Sequence, residues 1–88
     1  MKIELHPDFR KSYRKRIKNN SKLVTKTKGR IKLFRDNSSN PALKDHTLKG
    51  SNNNIRAFSI TGDFRIIYKR VSKDHVLFLD IGSHNQVY

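Results

Sequence analysis

Twenty Lys and Arg against 7 Asp and Glu give this chain of 88 residues a formal net charge of +13, and it has no cysteine. The length predicts one domain over residues 1–88, and the lack of cysteine excludes disulfides, cysteine-ligated zinc and thiol catalysis. The charge predicts a polyanionic partner, and nucleic acid is favoured over lipid because no amphipathic segment has the Trp- and Leu-rich face of an interfacial helix.

The first half of the chain predicts a short strand followed by two basic helices. Lys2-Ile3-Glu4-Leu5 alternates polar and apolar residues, which is typical of a strand. Phe9, Tyr13 and Ile17 then recur every four residues, which places them on one face of a helix. A polar break separates this helix from a second helical pattern over residues 23–34, so the two helices should form a hairpin.

The second half changes to the period of β-strands. Asn52-Asn53-Asn54 is predicted to be a polar loop, and strands are predicted over residues 55–60, 64–68 and 75–81, with a turn at residues 71–74. Turn signals at this spacing predict a three-stranded antiparallel meander. The order β-α-α-β-β-β therefore predicts an α+β fold with the helices packed on one face of a small sheet.

Polar side chains that could take part in catalysis or phosphate binding lie at the loops and ends of this meander, where strand pairing would bring them together. They are Asp45, His46, Arg56, Asp63, Arg65, His84 and Tyr88. RNA is cleaved without a metal when a base takes the 2′-hydroxyl proton, a cation stabilises the phosphorane and an acid protonates the departing 5′-oxygen. Histidine suits either proton transfer and arginine suits the phosphate, so the set predicts an RNA-directed active site.

Each of these residues also has an ordinary structural interpretation. His46 fits an exposed loop, Asp63 fits a turn, and Arg65 can extend its guanidinium from a strand to the surface. His84 and Tyr88 fit a frayed chain end. Two histidines with a carboxylate would also suit a metal ion, but their spacing is not that of metal ligands, so we predict neither a metal nor a cofactor.

Three motifs, in this order, resemble the RelE/ParE toxin superfamily, and in particular its YafQ-like branch of type II toxin–antitoxin systems. They are Lys44-Asp45-His46-Thr47-Leu48-Lys49-Gly50, Gly62-Asp63-Phe64-Arg65-Ile66-Ile67-Tyr68 and Asp80-Ile81-Gly82-Ser83-His84-Asn85-Gln86-Val87-Tyr88. The resemblance spans essentially the whole chain. It implies a RelE-like microbial-RNase-type fold and metal-independent cleavage of mRNA in the ribosomal A site, giving 2′,3′-cyclic phosphate and 5′-hydroxyl ends. It also implies a cognate antitoxin that blocks this activity.

The resemblance gives roles to individual residues. His84 is expected to be the leading acid or base, with His46 and Asp63 supplying the complementary proton transfer or orienting the 2′-hydroxyl. Arg65, together with Arg56, is expected to hold the phosphate. Aromatic residues complete the set, and those expected to position a base are Phe64 and Tyr88.

Two positions depart from the pattern of the branch. The strand before the acidic residue often carries a further histidine, and here that region reads Phe58-Ser59-Ile60. The aromatic residue after the acid is often Trp, and here it is Phe64. An inactive, degraded toxin is therefore one alternative to an active enzyme.

The two helices carry more cations than one active site uses. We predict that they dock on ribosomal RNA, with a solvated charged face as the alternative interpretation. The docking residues predicted are Lys11, Arg14, Lys15, Lys18, Lys22 and Lys26.

Other functions remain open on the sequence. A ParE-like toxin that inhibits gyrase without cleaving RNA would share the fold, and a plain nucleic-acid-binding module would share the charge. The charge also predicts that the antitoxin is acidic and forms a hetero-oligomer with this chain. No membrane partner is expected, because no transmembrane run or signal peptide is recognisable, and the predicted location is cytoplasmic.

Overall fold

The computed structural model of the chain describes residues 1–48, 50 and 54–88. Its elements are β1 (Lys2–Leu5), α1 (Pro7–Arg16), α2 (Ser21–Asp36), a short 3-10 helix (Pro41–Leu43), β2 (His46–Thr47), β3 (Ile55–Ser59), β4 (Phe64–Ser72), β5 (His75–Ser83) and α3 (His84–Val87). The predicted α+β order of one strand, two helices and three further strands is confirmed. Of the predicted loop at residues 52–54, the first two residues lie outside the described part of the chain.

Three short elements are absent from the sequence prediction, the 3-10 helix, β2 and α3, and one turn is shorter than predicted. β2 has only two residues, and α3 occupies a segment that was also compatible with a frayed end. β4 continues through Ser72, so the prediction of a turn starting at Val71 is wrong. β4 and β5 stay paired up to Ser72 and His75. The hairpin is therefore longer than the apolar run at residues 64–68, on which the prediction was based.

Within the described residues, the sheet has five strands in the order β1-β5-β4-β3-β2. The pairs β2–β3, β3–β4 and β4–β5 are antiparallel, which confirms the predicted meander. β1 pairs with β5 in parallel, from Lys2 opposite His75 to Leu5 opposite Phe78. A parallel pair needs a long crossover, and the two helices with the rest of the meander supply it.

The core lies between the two helices and the sheet. Its centre is Phe34 of α2, whose ring lies 4.4 Å from that of Phe58, 5.0 Å from that of Tyr68 and 6.0 Å from that of Phe78. Phe9 of α1 packs on Phe78 at 5.4 Å. Aromatic groups of this size dominate the energy of a small core, so these contacts fix both helices on one face of the sheet.

Strand register decides which side chains lie on the opposite face, which we call the outer face. Phe58 of β3 belongs to the core, and neighbouring positions of a strand point to opposite sides. Ser59 and its partner Arg65 therefore lie on the outer face. His46 pairs with Ala57 and lies on that face too. No helix in the described part of the chain is long and apolar enough to span a membrane.

Candidate active site

The side chain of Tyr88 brings together three other residues singled out by the sequence. Its hydroxyl oxygen lies 3.4 Å from Nε2 of His46 and 3.4 Å from Nη1 of Arg65. Its ring contacts the His84 ring edge-on, with centroids 4.6 Å apart. The Arg65 guanidinium lies 5.4 Å from the centre of the Tyr88 ring. The sheet thus places β2, β4 and the segment after β5 around one point.

His46 is held in a defined orientation by the turn that precedes it. Lys44 has a left-handed backbone, with φ of 50°, and its carbonyl oxygen lies 2.9 Å from Nδ1 of His46. A carbonyl oxygen only accepts hydrogen bonds, so Nδ1 must carry a proton. In the neutral ring Nε2 then has the lone pair and accepts from the Tyr88 hydroxyl, which in turn accepts from Arg65. The exposed Nε2 is therefore suited to act as a base.

Arg65 projects from β4 toward the same point. Its Nη2 donates to the carbonyl oxygen of Gly62 at 3.2 Å, and its Nη1 donates to the Tyr88 hydroxyl. No acidic side chain of the described residues forms an ion pair with Arg65. Its charge is therefore available to an anionic ligand.

Asp63 contacts the backbone of His84. The His84 amide donates to the Asp63 carbonyl at 3.0 Å and to its carboxylate at 3.3 Å. These bonds tie the start of α3 to the β3–β4 turn. Within the described residues, no group forms a hydrogen bond with the His84 ring nitrogens. His84 is an exposed residue.

A polar contact beneath Gly82 holds the end of β5. Arg16 of α1 donates from Nη1 to the Ile81 carbonyl at 3.0 Å and to the Asp80 carboxylate at 3.3 Å. A Cβ added at Gly82 would lie 2.8 Å from that Nη1 and 2.8 Å from Oε1 of Gln86 in α3. Both distances are too short for a real Cβ contact. Glycine is therefore needed for Arg16 and α3 to approach β5 this closely.

Two predicted substrate-binding residues lie away from Tyr88. Arg56 donates from Nε to Asp45 Oδ1 at 2.9 Å and from Nη1 to the Thr47 hydroxyl at 2.8 Å. It lies on the helix-covered face, opposite to Arg65, so the two do not form the shared phosphate site that was predicted. Phe64 is partly buried and packs against the core. It points to the same face of β4 as the core residues Ile66 and Tyr68, since alternate positions of a strand share a face. Its predicted stacking on a base stays a prediction.

Asp45 and Tyr68 form a polar contact that sequence reasoning missed. The Tyr68 hydroxyl donates to Asp45 Oδ2 at 2.5 Å, and the Asp45 side chain is only 14% exposed. Burial raises the pKa of Tyr68 to about 12, with the hydrogen bond to Asp45 and its charge acting in the same direction. Burial alone would lower the pKa of Arg56, but its hydrogen bond and attraction to Asp45 outweigh this and raise it. The one signal in the sequence was the position of Asp45 next to His46.

The cations predicted to dock on RNA are all exposed, and they border different depressions of the surface. Arg14 and Lys18 border an apolar groove between α1 and α2. Lys11 and Lys15 border a depression at the other side of α1, and Lys26 borders a third beside the β3–β4 turn. In the described part of the chain, no group of three His, Asp or Glu side chains is arranged to hold a metal ion.

Comparison with known proteins gives related folds and a family. No curated protein matches the chain. The solved structure of YafQ from E. coli strain BL21(DE3) has a TM-score of 0.80 and 24% identity over 98% of this chain and 96% of that chain, a likeness that shows the fold.

Two further solved structures are slightly more similar in sequence. The E. coli DinJ-YafQ complex has a TM-score of 0.75 and 26% identity over 98% of this chain and 96% of that chain. A metal-bound toxin from Helicobacter pylori has a TM-score of 0.74 and 26% identity over 100% of this chain and 99% of that chain. The sequence model of a family described as bacterial toxin of type II toxin-antitoxin system, YafQ, matches residues 1–88. The chain therefore belongs to the YafQ family of bacterial toxins of type II toxin–antitoxin systems.

Proposed function

We propose that this toxin is an endoribonuclease that cleaves mRNA in the ribosomal A site by attack of the 2′-hydroxyl on the adjacent phosphate, without a metal ion. The observation that carries the proposal is the contact of Tyr88 with His46, Arg65 and His84. It places two imidazoles and a guanidinium around one exposed point. These are the groups that the two proton transfers and the charged transition state require.

The assignment of the two proton transfers follows from the orientation of His46. Nε2 of His46 takes the proton of the 2′-hydroxyl as the 2′-oxygen bonds to phosphorus. The bond between phosphorus and the 5′-oxygen breaks, and protonated His84 gives its proton to that oxygen. The products are a 2′,3′-cyclic phosphate and a 5′-hydroxyl. His46 is the base in this scheme because its Nδ1 is already bonded to the Lys44 carbonyl.

Arg65 and Tyr88 act on the phosphate and its surroundings. The Arg65 guanidinium stabilises the charge that develops on the phosphorane, and its geometry matches two phosphate oxygens. The Tyr88 hydroxyl orients His46. Tyr88 is 47% exposed, and its ring provides a surface on which a base can stack. Asp63 positions His84 through the backbone amide.

The net charge of +13 supports an RNA-rich target and an acidic inhibitor. The exposed cations of α1 and α2 dock the toxin on ribosomal RNA in this proposal. A solved structure of the E. coli DinJ-YafQ complex supports a protein partner of the antitoxin type for this chain as well. We propose that this partner presents acidic side chains and forms a hetero-oligomer with the toxin.

The test is primer extension on a defined message translated in vitro at the Mg²⁺ concentration that the ribosome needs. Wild-type protein should cut in frame, and His84→Ala should reduce cleavage by about 100-fold or more, which is the usual size of an acid–base effect. His6→Asn is the matched control, since His6 caps α1 and Asn caps helices equally well. It should cut like the wild type.

Two results would contradict the proposal. Equal cutting by wild type and His84→Ala would remove His84 from the reaction. No cutting by folded wild-type protein, together with inhibition in a gyrase supercoiling assay, would favour the ParE-like alternative.

A further inference from the structure

Asp45 uses both of its carboxylate oxygens within the protein. Oδ1 accepts from Arg56 Nε at 2.9 Å and Oδ2 accepts from the Tyr68 hydroxyl at 2.5 Å. Arg56 also donates from Nη1 to the Thr47 hydroxyl at 2.8 Å. One arginine of β3 thus binds the residues on both sides of His46. We call Asp45, Thr47, Arg56 and Tyr68 the Asp45 clamp.

The clamp and His46 lie on opposite faces of the sheet. Thr47 pairs with Arg56, and Arg56 pairs with Tyr68. Residues opposite each other in a sheet point to the same side, and Tyr68 belongs to the core. The clamp is therefore on the helix-covered face, and its contacts leave the outer face around His46 open to a ligand.

The clamp connects a weak strand to the most rigid part of the molecule. Within the described residues, β2 is an edge strand of two residues that pairs with β3 at two positions. Such a short pairing does not define the position of a side chain well. The Tyr68 ring, by contrast, is fully buried and packs 5.0 Å from Phe34 and 5.8 Å from Phe58. Because this ring is held in the core, the hydrogen bond from its hydroxyl restrains the position of Asp45.

We infer that Asp45 is a positioning residue, which with Arg56 and Tyr68 fixes Nε2 of His46 at the point where Tyr88 and Arg65 meet. This inference rests on the proposed function, because it gives His46 a task in the reaction. A catalytic side chain needs to be held within a fraction of an ångström, and a supporting set of hydrogen bonds commonly does this. Arg56 acts in this way through Asp45 and Thr47, without contacting RNA.

The hydrogen-bond donors of the clamp stay protonated at neutral pH, which agrees with this role. The pKa of Tyr68 is raised to about 12 by burial and by Asp45, so its hydroxyl keeps the proton that it donates. The pKa of Arg56 is raised as well, so its charge is permanent. The two donors to Asp45 therefore keep their protons at neutral pH.

The experiment compares two clamp variants with one control. Asp45→Asn removes the negative charge with little change of shape, and Tyr68→Phe removes one hydroxyl. Ile17→Val is the control, because Ile17 is fully buried in the core outside the clamp, and its truncation loosens the fold. Thermal unfolding establishes that each protein is folded before it is assayed.

Two readouts separate positioning from simple loss of stability. Single-turnover cleavage of ribosome-bound message, at toxin concentrations below and above half-saturation, gives the maximal rate and the half-saturating concentration. Nitrogen-15 spectra of the imidazole rings give the tautomer and exchange broadening of His46, assigned from its loss in His46→Gln. We expect both clamp variants to lower the maximal rate about tenfold or more at unchanged half-saturation. The His46 signals should shift or broaden only in these variants.

The outcomes distinguish this inference from the proposed function. Unchanged His46 signals in both clamp variants would overturn the positioning role, whatever happens to the rate. Altered His46 signals with an unchanged rate would support control of His46 by the clamp and would remove His46 from the reaction. The same loss of rate in Ile17→Val as in the clamp variants would overturn the inference, because general loosening would then explain it.

Discussion

The hydroxyl of Tyr88 lies 3.4 Å from Nε2 of His46, although 42 positions separate the two residues in the chain. The same oxygen lies 3.4 Å from Nη1 of Arg65. It can donate to the histidine and accept from the arginine at once, since a phenol has both capacities. A single atom therefore connects the proposed base to the proposed phosphate ligand.

Removing this atom should lower cleavage without unfolding the protein. We expect Tyr88→Phe to cleave ribosome-bound message about tenfold more slowly, because His46 and Arg65 lose their common partner. Stability should change by less than about 0.5 kcal/mol, since the side chain is at the surface. Tyr13→Phe removes a hydroxyl on α1, away from the site, and should cleave normally. Equal rates for the two variants would show that the Tyr88 hydroxyl has no part in the reaction.

Adding one methyl group at Gly82 should separate α3 from β5. Gly82→Ala should lose about 1–3 kcal/mol of stability, because the new Cβ would displace Arg16 and Gln86. Cleavage should fall too, since α3 carries His84. Gly29→Ala is the control, because a Cβ there meets nothing within 4 Å and alanine favours a helix by about 1 kcal/mol over glycine. Urea denaturation should move in opposite directions for the two variants, and a shared direction would contradict the close approach at Gly82.

The raised pKa of Tyr68 predicts a loss of stability in alkaline solution. The phenol has a pKa of 10.0 when unperturbed and about 12 in the folded protein. The unfolded chain therefore releases this proton first, so the contribution of Tyr68 is fully present below pH 10 and disappears as the pH rises from about 10 to 12. The loss is of the order of 2–3 kcal/mol. Urea denaturation at pH 9 and 11.5 should show a steeper fall for wild type than for Tyr68→Phe. An equal loss of stability in the two proteins would show that the pKa of Tyr68 is not raised.

The α1 surface should contribute to the salt dependence of ribosome binding. Lys11→Glu combined with Lys15→Glu should weaken binding and reduce the slope of log affinity against log salt by about 2, since each phosphate contact contributes about 1. Lys69→Glu combined with Lys73→Glu changes the net charge equally on another surface. If both double variants show the same slope, net charge alone steers the toxin and α1 is not a docking surface.

The main elements were predictable because their patterns are local. The four-residue spacing of Phe9, Tyr13 and Ile17 is enough to define the apolar face of α1, and the apolar runs of β4 and β5 define two adjacent strands. The bounds of β4 were less predictable, because its last residues are held by pairing with β5 and not by apolar character.

The missing elements depend on contacts between distant residues or on a weak signal. β2 exists through its pairing with β3, and no pattern of two residues can reveal that. α3 did have a signal, since Ser83 and Gln86 have the spacing of a capping box, and the Ser83 amide donates to Gln86 Oε1 at 2.8 Å.

The candidate site was predicted in its members better than in its geometry. His46, Arg65, His84 and Tyr88 were singled out, and the structure brings them together. The face on which Arg56 lies could not be predicted, because it depends on the register of β3 with β4, which places Arg56 opposite Tyr68. The contact between Asp45 and Tyr68 spans 23 positions and is visible only in the folded chain.

The order in which the chain leaves the ribosome has a consequence for when this toxin becomes active. His84 and Tyr88 follow β5, the last strand, and reach His46 only after β5 has paired with β4. A growing chain that still holds β5 in the exit tunnel has the proposed base and phosphate ligand but lacks the proposed acid. In the proposed mechanism, the first 80 residues alone therefore lack the acid, and the proposed site is complete only after His84 and Tyr88 have emerged and β5 has paired with β4.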